Sequence, residues 1–340
     1  HFVEDPPTAL MDQLPEWTED SFAGILLNVV AGRVSNRFNL GGANFTVDAA
    51  CASSLAAVYL ACRELADGTS DRVVAGGCDT IQGPFAYLCF SKTEALSPTG
   101  KPRVFDEDAD GITIGEGLAA VVLKRREDAE RDGDRIYAVI KAVAGGSDGR
   151  SRSMTAPHAD GQLRTLQRAY RQARFGPDTV GHFEAHGTGT SLGDRTECQS
   201  LSALLRQHGA GPRAHAIGSV KSMIGHTKCT AGVAGLLKSA LALYYRTLPA
   251  TLNVSRPSRE AGLEDGPLYV NAETRPWIAA GRPRRAAVSA FGFGGTNFHA
   301  VLEEYTGDPM ATENRAGHTE RSAELFVFGA EAADDLRKRV

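Results

Sequence analysis

Hydrophobic positions along this chain follow two alternating rhythms. Short apolar runs are followed by longer stretches in which apolar residues recur every three or four positions. Residues 45–47 read as the end of a strand. Residues 51–65 place Leu55, Val58, Tyr59 and Cys62 on one helical stripe, closed by Asp67-Gly68. Residues 72–75 predict a short strand stopped by Gly76-Gly77. Residues 117–123 and 136–143 predict strands separated by the charged stretch 124–133. A helix is predicted over 163–173, a strand over 180–185, a helix over 194–205 and a strand over 214–220. The stretch 231–245 is apolar almost all round, which predicts a central, buried helix. Strands over 285–290 and 298–302 flank a glycine turn. Strands and helices alternate, so the expected class is α/β, a sheet covered by helices on its faces.

The pattern fails after Tyr305. Residues 306–323 gather Gly, Pro, Asp, Asn, Glu and Thr and predict a linker. Over 324–340 a pattern returns, a short strand and then a charged helix, as at the start of another domain.

Composition narrows the function classes. The chain has 340 residues, 42% of them apolar, enough for a sizeable core built as two domains or one large α/β unit. Its net charge of −4 argues against a nucleic-acid partner, though it leaves room for a local basic patch facing an acidic protein. The six cysteines form no CxxC pair and no metal-ligand spacing, so no metal is expected. They read as reduced thiols of a cytoplasmic protein, most of them small core residues. No basic-then-apolar leader opens the chain, and no apolar run approaches about 18 residues, so no membrane partner is expected.

Four segments carry candidate chemistry. In Val47-Asp48-Ala49-Ala50-Cys51-Ala52-Ser53-Ser54-Leu55 a strand ends on small residues and a helix begins at Cys51. A thiol there meets the positive end of a helix dipole, which predicts a lowered pKa. A buried structural cysteine explains this segment equally well. Glu184-Ala185-His186-Gly187-Thr188-Gly189-Thr190 follows a strand and can project His186 into a cleft, with two threonine hydroxyls beside it; a histidine capping a sheet edge explains this segment equally well. Asp194 and Glu197 read as a helix N-cap and its reciprocal N3 carboxylate. Lys221-Ser222-Met223-Ile224-Gly225-His226 leads into the apolar helix, where a lysine is costly to bury unless paired or functional. Ser289-Ala290-Phe291-Gly292-Phe293-Gly294-Gly295-Thr296-Asn297 predicts a tight turn with positive φ and exposed N–H groups, suited to an oxyanion. It lacks the spacing of a dinucleotide fingerprint or a phosphate loop. One Cys, two His and one Lys thus fall at strand ends, where ligands bind in such sheets.

Taken together these motifs, over about residues 15–305, resemble the β-ketoacyl synthases of the thiolase-like superfamily, of the kind within type I polyketide synthases. The resemblance implies a five-layered αβαβα fold of two related halves, usually dimeric. It implies that residues 1–305 form the ketosynthase and that the N-terminal part of its first half is missing. It assigns Cys51 as the acyl-accepting nucleophile, His186 and His226 as the active-site histidines, and Lys221 as the lysine of their cluster. The backbone N–H groups of Cys51 and Phe293 match the oxyanion hole. Thr188, Thr190 and Phe291 match substrate or phosphopantetheine contacts. The implied reaction is a decarboxylative Claisen condensation, with malonyl-carrier protein as donor, in polyketide or polyunsaturated fatty acid synthesis. No cofactor is bound directly; the phosphopantetheine belongs to the acyl carrier protein. An acyltransferase domain of the same polypeptide is the other implied partner, and 324–340 resemble the start of the linker domain joining it. The wording DAACASS leans towards iterative enzymes, such as the enediyne and polyunsaturated-fatty-acid types. Some stand-alone relatives place a Glu nine residues after the second histidine, where this chain has Gly235. That removes the carboxylate those relatives offer to the lysine.

The rival reading is a non-catalytic, synthase-like module that binds carrier protein or partner subunits; the presence of Cys51 and both histidines favours catalysis. A degradative thiolase needs a second cysteine within 289–297, and there is none. No G-x-C-x-G or G-x-S-x-G hydrolase elbow surrounds Cys51.

Overall fold

The structure is a computed structural model and describes residues 18–150, 156–279 and 281–307. Its main sheet has six strands. These are β3 (Val139–Ser147), β4 (His182–Glu184), β5 (His215–Gly218), β6 (Leu268–Val270), β7 (Arg285–Gly292) and β8 (Thr296–Glu303). The order across the sheet is β3-β8-β7-β4-β5-β6, with β4, β5, β6 and β7 parallel and β8 antiparallel to both neighbours. A separate two-stranded sheet pairs β1 (Arg72–Asp79) with β2 (Gly117–Lys124).

Helices set the layers. Helices α3 (Ala159–Ala173) and α4 (Ser191–Gln207) pack together on the outer side of the main sheet. They bury Leu166, Leu201, Leu204 and Leu205 against Phe183 and Val301. Each such fully buried leucine contributes about 1.5–3 kcal/mol. Helices α2 (Ser53–Ala66) and α5 (Ala231–Tyr244) lie between the two sheets. There Leu55, Val58, Leu236 and Leu243 join Val288 and Ala300 in a second core. The expectation that the apolar helix is central is therefore met. Four of the five expected layers, α-β-α-β, are present among the described residues. The far face of the β1–β2 ribbon is open, with Val74, Leu118 and Val122 exposed. Helix α1 (Val29–Phe38), unforeseen in the sequence, buries none of its residues. No described helix is long and apolar enough to cross a membrane.

Several boundaries moved for physical reasons. Residues 45–47 run without strand pairing, because no described strand lies beside them. Strand β1 does not stop at Gly76-Gly77 but continues to Asp79. A Cβ at Gly76 would lie 2.3 Å from Ala119 O, so glycine is what lets β2 approach. Strand β3 starts at Val139 and runs to Ser147, drawn on by pairing with β8. Cys198 alone is fully buried; Cys51, Cys62 and Cys229 are half-buried and Cys78 and Cys89 exposed, so most are not core residues. The linker and the domain start expected after 305 lie, beyond 307, outside the described residues.

Candidate active site

Cys51 stands in the tight turn Ala50–Ala52 that leads into α2. Ala50 takes the left-handed conformation at φ 48°, which strains any residue with a Cβ. Side chains hold that turn. The Ala50 N–H donates to Asp48 Oδ1 at 2.8 Å, while Ser53 Oγ accepts from the Ala49 N–H at 2.9 Å and donates to Ala50 O at 2.7 Å. Ser54 Oγ accepts from the Val233 N–H at 3.0 Å and ties the turn to α5.

The glycine turn between β7 and β8 reaches the same place. A Cβ on Gly292 would lie 2.2 Å from Ala49 O, so only glycine allows the approach. Gly294 and Gly295 then turn with φ of 102° and 82°. Asp148 grips the turn from behind: its N–H donates to Gly295 O at 2.8 Å and its Oδ1 accepts from Asn297 Nδ2 at 2.6 Å. The backbone N–H groups of Phe293 and of Cys51 itself act on the Cys51 thiol in the direction that lowers its pKa. The expectation of a lowered Cys51 pKa is overturned. Burial raises it above the ordinary 9.0, outweighing the Lys221 charge and the two N–H groups. The resting group is a thiol.

His186 and His226 face each other with ring centroids 5.6 Å apart and planes at 83°. Nδ1 of His186 accepts the Phe291 N–H at 3.3 Å, and Nδ1 of His226 accepts the Lys228 N–H at 2.9 Å. An N–H donates only to an unprotonated nitrogen, so each neutral ring carries its proton on Nε2. Burial first, then the Lys221 charge, holds both pKa values well below 6.5. Both rings are therefore neutral Nε2–H donors at physiological pH. The Phe291 ring packs 5.6 Å from that of His186.

Lys221 is buried, and its Nζ donates to His186 O. Burial lowers its pKa; Glu197, Cys51, Glu184 and Asp194 act in the opposite direction. The capping role read for Asp194 and Glu197 is overturned. The helix starts earlier, at Ser191 with Thr190 as N-cap, which places both acids inside it and buried. Glu197 Oε1 and Oε2 accept the N–H groups of His186 and Gly187 at 2.8 and 2.9 Å. Asp194 accepts those of Thr188, Gly189 and Phe105 at 3.0, 3.2 and 2.9 Å. Burial pushes Asp194 up to about 6 and Glu197 up to about 7. Their signal was present in the sequence. They fall in phase with the buried stripe Cys198, Leu201, Leu204 and Leu205, where a carboxylate needs partners. Glu184, quoted only as part of a motif, also proves structural. Its Oε2 takes Lys238 Nζ at 2.8 Å and its Oε1 the Val220 N–H at 2.5 Å.

Thr188 and Thr190 share a 2.9 Å hydrogen bond between hydroxyls. With Cys51, His186, His226, Phe291 and Phe293 they line one cleft of about 1950 Å³. Lys221 stands behind it and reaches the site through the His186 carbonyl. Every residue singled out in the sequence therefore meets at this hollow or directly behind it.

The Cys51 thiol and the two neutral Nε2–H imidazoles of His186 and His226 thus line one cleft beside the main sheet. The profile "Beta-ketoacyl synthase, N-terminal domain" matches residues 8–129, and "Beta-ketoacyl synthase, C-terminal domain" matches 137–255. A "Ketoacyl-synthetase C-terminal extension" matches 257–339. The chain belongs to the β-ketoacyl synthase family. It is 48% identical over 296 residues to a polyunsaturated fatty acid synthase subunit of Thraustochytrium, covering 85% of this chain and 10% of that one. It is 40% identical over 321 residues to polyketide synthase PksL of Bacillus subtilis, covering 94% and 7%. Among solved structures, the ketosynthase from module 6 of the bacillaene synthase of Bacillus subtilis 168 superposes with a TM-score of 0.81. That match has 39% identity and covers 86% of this chain and 53% of that one. The chain thus spans a tenth or less of these curated relatives and about half of the solved ketosynthase.

Proposed function

We propose that this chain is the condensing domain of a multidomain synthase that extends acyl chains on a carrier protein. The observation that carries the reading is the convergence of Cys51 with two kinds of hydrogen-bond donor. The N–H groups of Phe293 and Cys51 act on the Cys51 thiol against the effect of burial. His186 and His226 line the same cleft, their Nε2–H tautomers fixed by backbone donors on Nδ1.

In this scheme Cys51 attacks an acyl thioester on the phosphopantetheine arm. A C–S bond forms to Cys51, and the arm leaves as a thiol with the Cys51 proton. The two N–H groups stabilise the tetrahedral oxyanion. Malonyl thioester then loses CO₂. The breaking C–C bond leaves its electrons as an enolate, whose oxygen accepts from both imidazoles. The enolate carbon attacks the acyl-Cys51 carbonyl, the C–S bond breaks, and a 3-ketoacyl thioester departs. The released Cys51 thiolate takes a proton from solvent and returns to its resting thiol. Thr188 and Thr190 hold the arm's amides, and Lys221 with Glu197 fixes the His186 backbone. A homodimeric, cytoplasmic assembly with an acyltransferase domain in the same polypeptide completes the proposal. The 48% identity to a polyunsaturated fatty acid synthase supports the iterative lean of DAACASS.

Intact-protein mass tests it, after incubating the whole polypeptide with acyl- and malonyl-loaded carrier. Acyl mass should appear on Cys51 and vanish on malonyl addition. Formation of 3-ketoacyl product by Cys51→Ala would end the reading.

A further inference from the structure

Beside Cys51 the cleft wall carries a charged pair that the condensation itself does not use. Lys228 Nζ stands 3.0 Å from Asp79 Oδ1, with side-chain exposures of 13% and 14%. Asp79 ends β1, and Lys228 opens the turn Lys228–Thr230 that precedes α5. Both line the same cleft as Cys51 and His226. The turn is fixed against β1, since Cys229 Sγ donates to Cys78 O at 3.2 Å and approaches Asp79 Oδ2 at 3.5 Å. It is fixed against the histidine too, through the Lys228 N–H on His226 Nδ1. The pair is electrostatically coupled to the site: Asp79 acts on Cys51 and Lys228 on His226.

A lysine ammonium has three N–H donors. Asp79 Oδ1 takes one and Gly115 O, at 3.4 Å, a second. Among the described residues the third has no acceptor. A hydrocarbon chain laid against this wall strips water from the pair and returns no hydrogen bond. A chain with an oxygen near its thioester returns one.

We propose that Asp79 and Lys228 form a polar wall of the acyl cavity that selects chains bearing a keto or hydroxyl oxygen near the thioester over fully reduced chains. This rests on the acyl-accepting role of Cys51. Sites built to bond a substrate oxygen reject the analogue lacking it far more strongly than apolar pockets reject a missing methylene.

The test is competitive acylation of Cys51 in the whole polypeptide, using 3-hydroxybutyryl and butyryl thioesters and reading kcat/KM for each by intact mass. Wild type should favour the hydroxylated chain by at least about tenfold. Asp79→Asn/Lys228→Met removes both charges and keeps an oxygen acceptor for the Ile81 N–H, which Asp79 Oδ1 now takes at 3.2 Å. It should bring the ratio close to one, while Lys228→Arg should keep the preference. A wild-type ratio near one overturns the proposal without any variant. So does a double variant that slows both substrates by the same factor, as a purely structural pair would. Labelling of Cys51 by neither thioester would instead count against the condensing role.

Discussion

Asp194→Asn isolates what the buried carboxylate beneath the His186–Thr190 turn does to stability. The folded protein raises this group from 3.8 to about 6, chiefly by burial. A rise of that size corresponds to about 3 kcal/mol. The sign follows from proton binding. Between these pH values the folded state holds a proton that the unfolded chain has released, so stability falls as pH rises. The loss begins near the unfolded value and is complete just above the folded one. The asparagine variant has no such loss. Its amide NH₂ must face one of the three backbone donors that Asp194 now serves, so it starts about 1–3 kcal/mol less stable in acid. Glu197 adds to the contrast in the same direction, because the Asp194 charge helps to raise it. Urea unfolding followed by circular dichroism, at half-unit steps from pH 4 to 8, gives both curves. The wild-type advantage should shrink by about 2 kcal/mol between pH 4 and 6.5 through Asp194, and go on shrinking until Glu197 has titrated, above about 7. Buried histidines titrate in both proteins and cancel in the difference. Parallel curves would refute the reasoning.

Three further outcomes are expected. Lys221→Met should move the pH midpoint of Cys51 alkylation by iodoacetamide upwards, since the lysine charge is the largest influence holding that thiol down; an unmoved midpoint contradicts the coupling. Gly292→Ala drives a methyl into Ala49 O and displaces the Phe293 N–H, so Cys51 acylation should slow by about 100-fold or more, measured by burst kinetics. Glu184→Ala strands Lys238, whose side chain is 9% exposed, and should destabilise the fold by about 3–5 kcal/mol in denaturant titration. The double variant with Lys238→Met should recover most of that loss.

In the second half of the fold the helices α3, α4 and α5 and the strands β7 and β8 were legible because they are long and strongly patterned; the three-residue strand β6 was not foreseen. Helix α5 is apolar all round, so little besides burial between two sheets suits it. His186 and Lys221 lie just past the ends of β4 and β5, which is where this class of sheet gathers its ligands, whereas Cys51 and His226 follow no described strand directly. What stayed hidden was everything decided by partners distant in sequence. The Cys51 pKa could not be signed from a helix start alone, since burial by β7, β8 and α5 outweighs the dipole. Asp194 and Glu197 looked like caps because acids near a helix start usually are; only the path of residues 186–189 makes them acceptors. Residues 45–47 have strand composition, yet a strand exists only where another chain segment completes its ladder.

Gly235 poses the same problem in reverse. In the sequence it reads as a missing carboxylate for Lys221. In the structure its neighbour is Glu184: a Cβ at 235 would meet Glu184 Cγ at 3.0 Å and Val288 Cγ1 at 3.1 Å. The negative charge has not been lost; it enters the same volume from β4 and acts on Lys221 from there. A side chain at 235 and a glutamate at 184 therefore exclude each other, by volume and by repulsion between buried like charges. Gly235→Glu should unfold the protein or silence Cys51 acylation. Gly235→Glu combined with Glu184→Gly should restore both, with Lys238 paired to the new carboxylate. If the double variant is no better than the single one, the two positions do not share a charge site, and the glycine serves only the packing of α5 on β7.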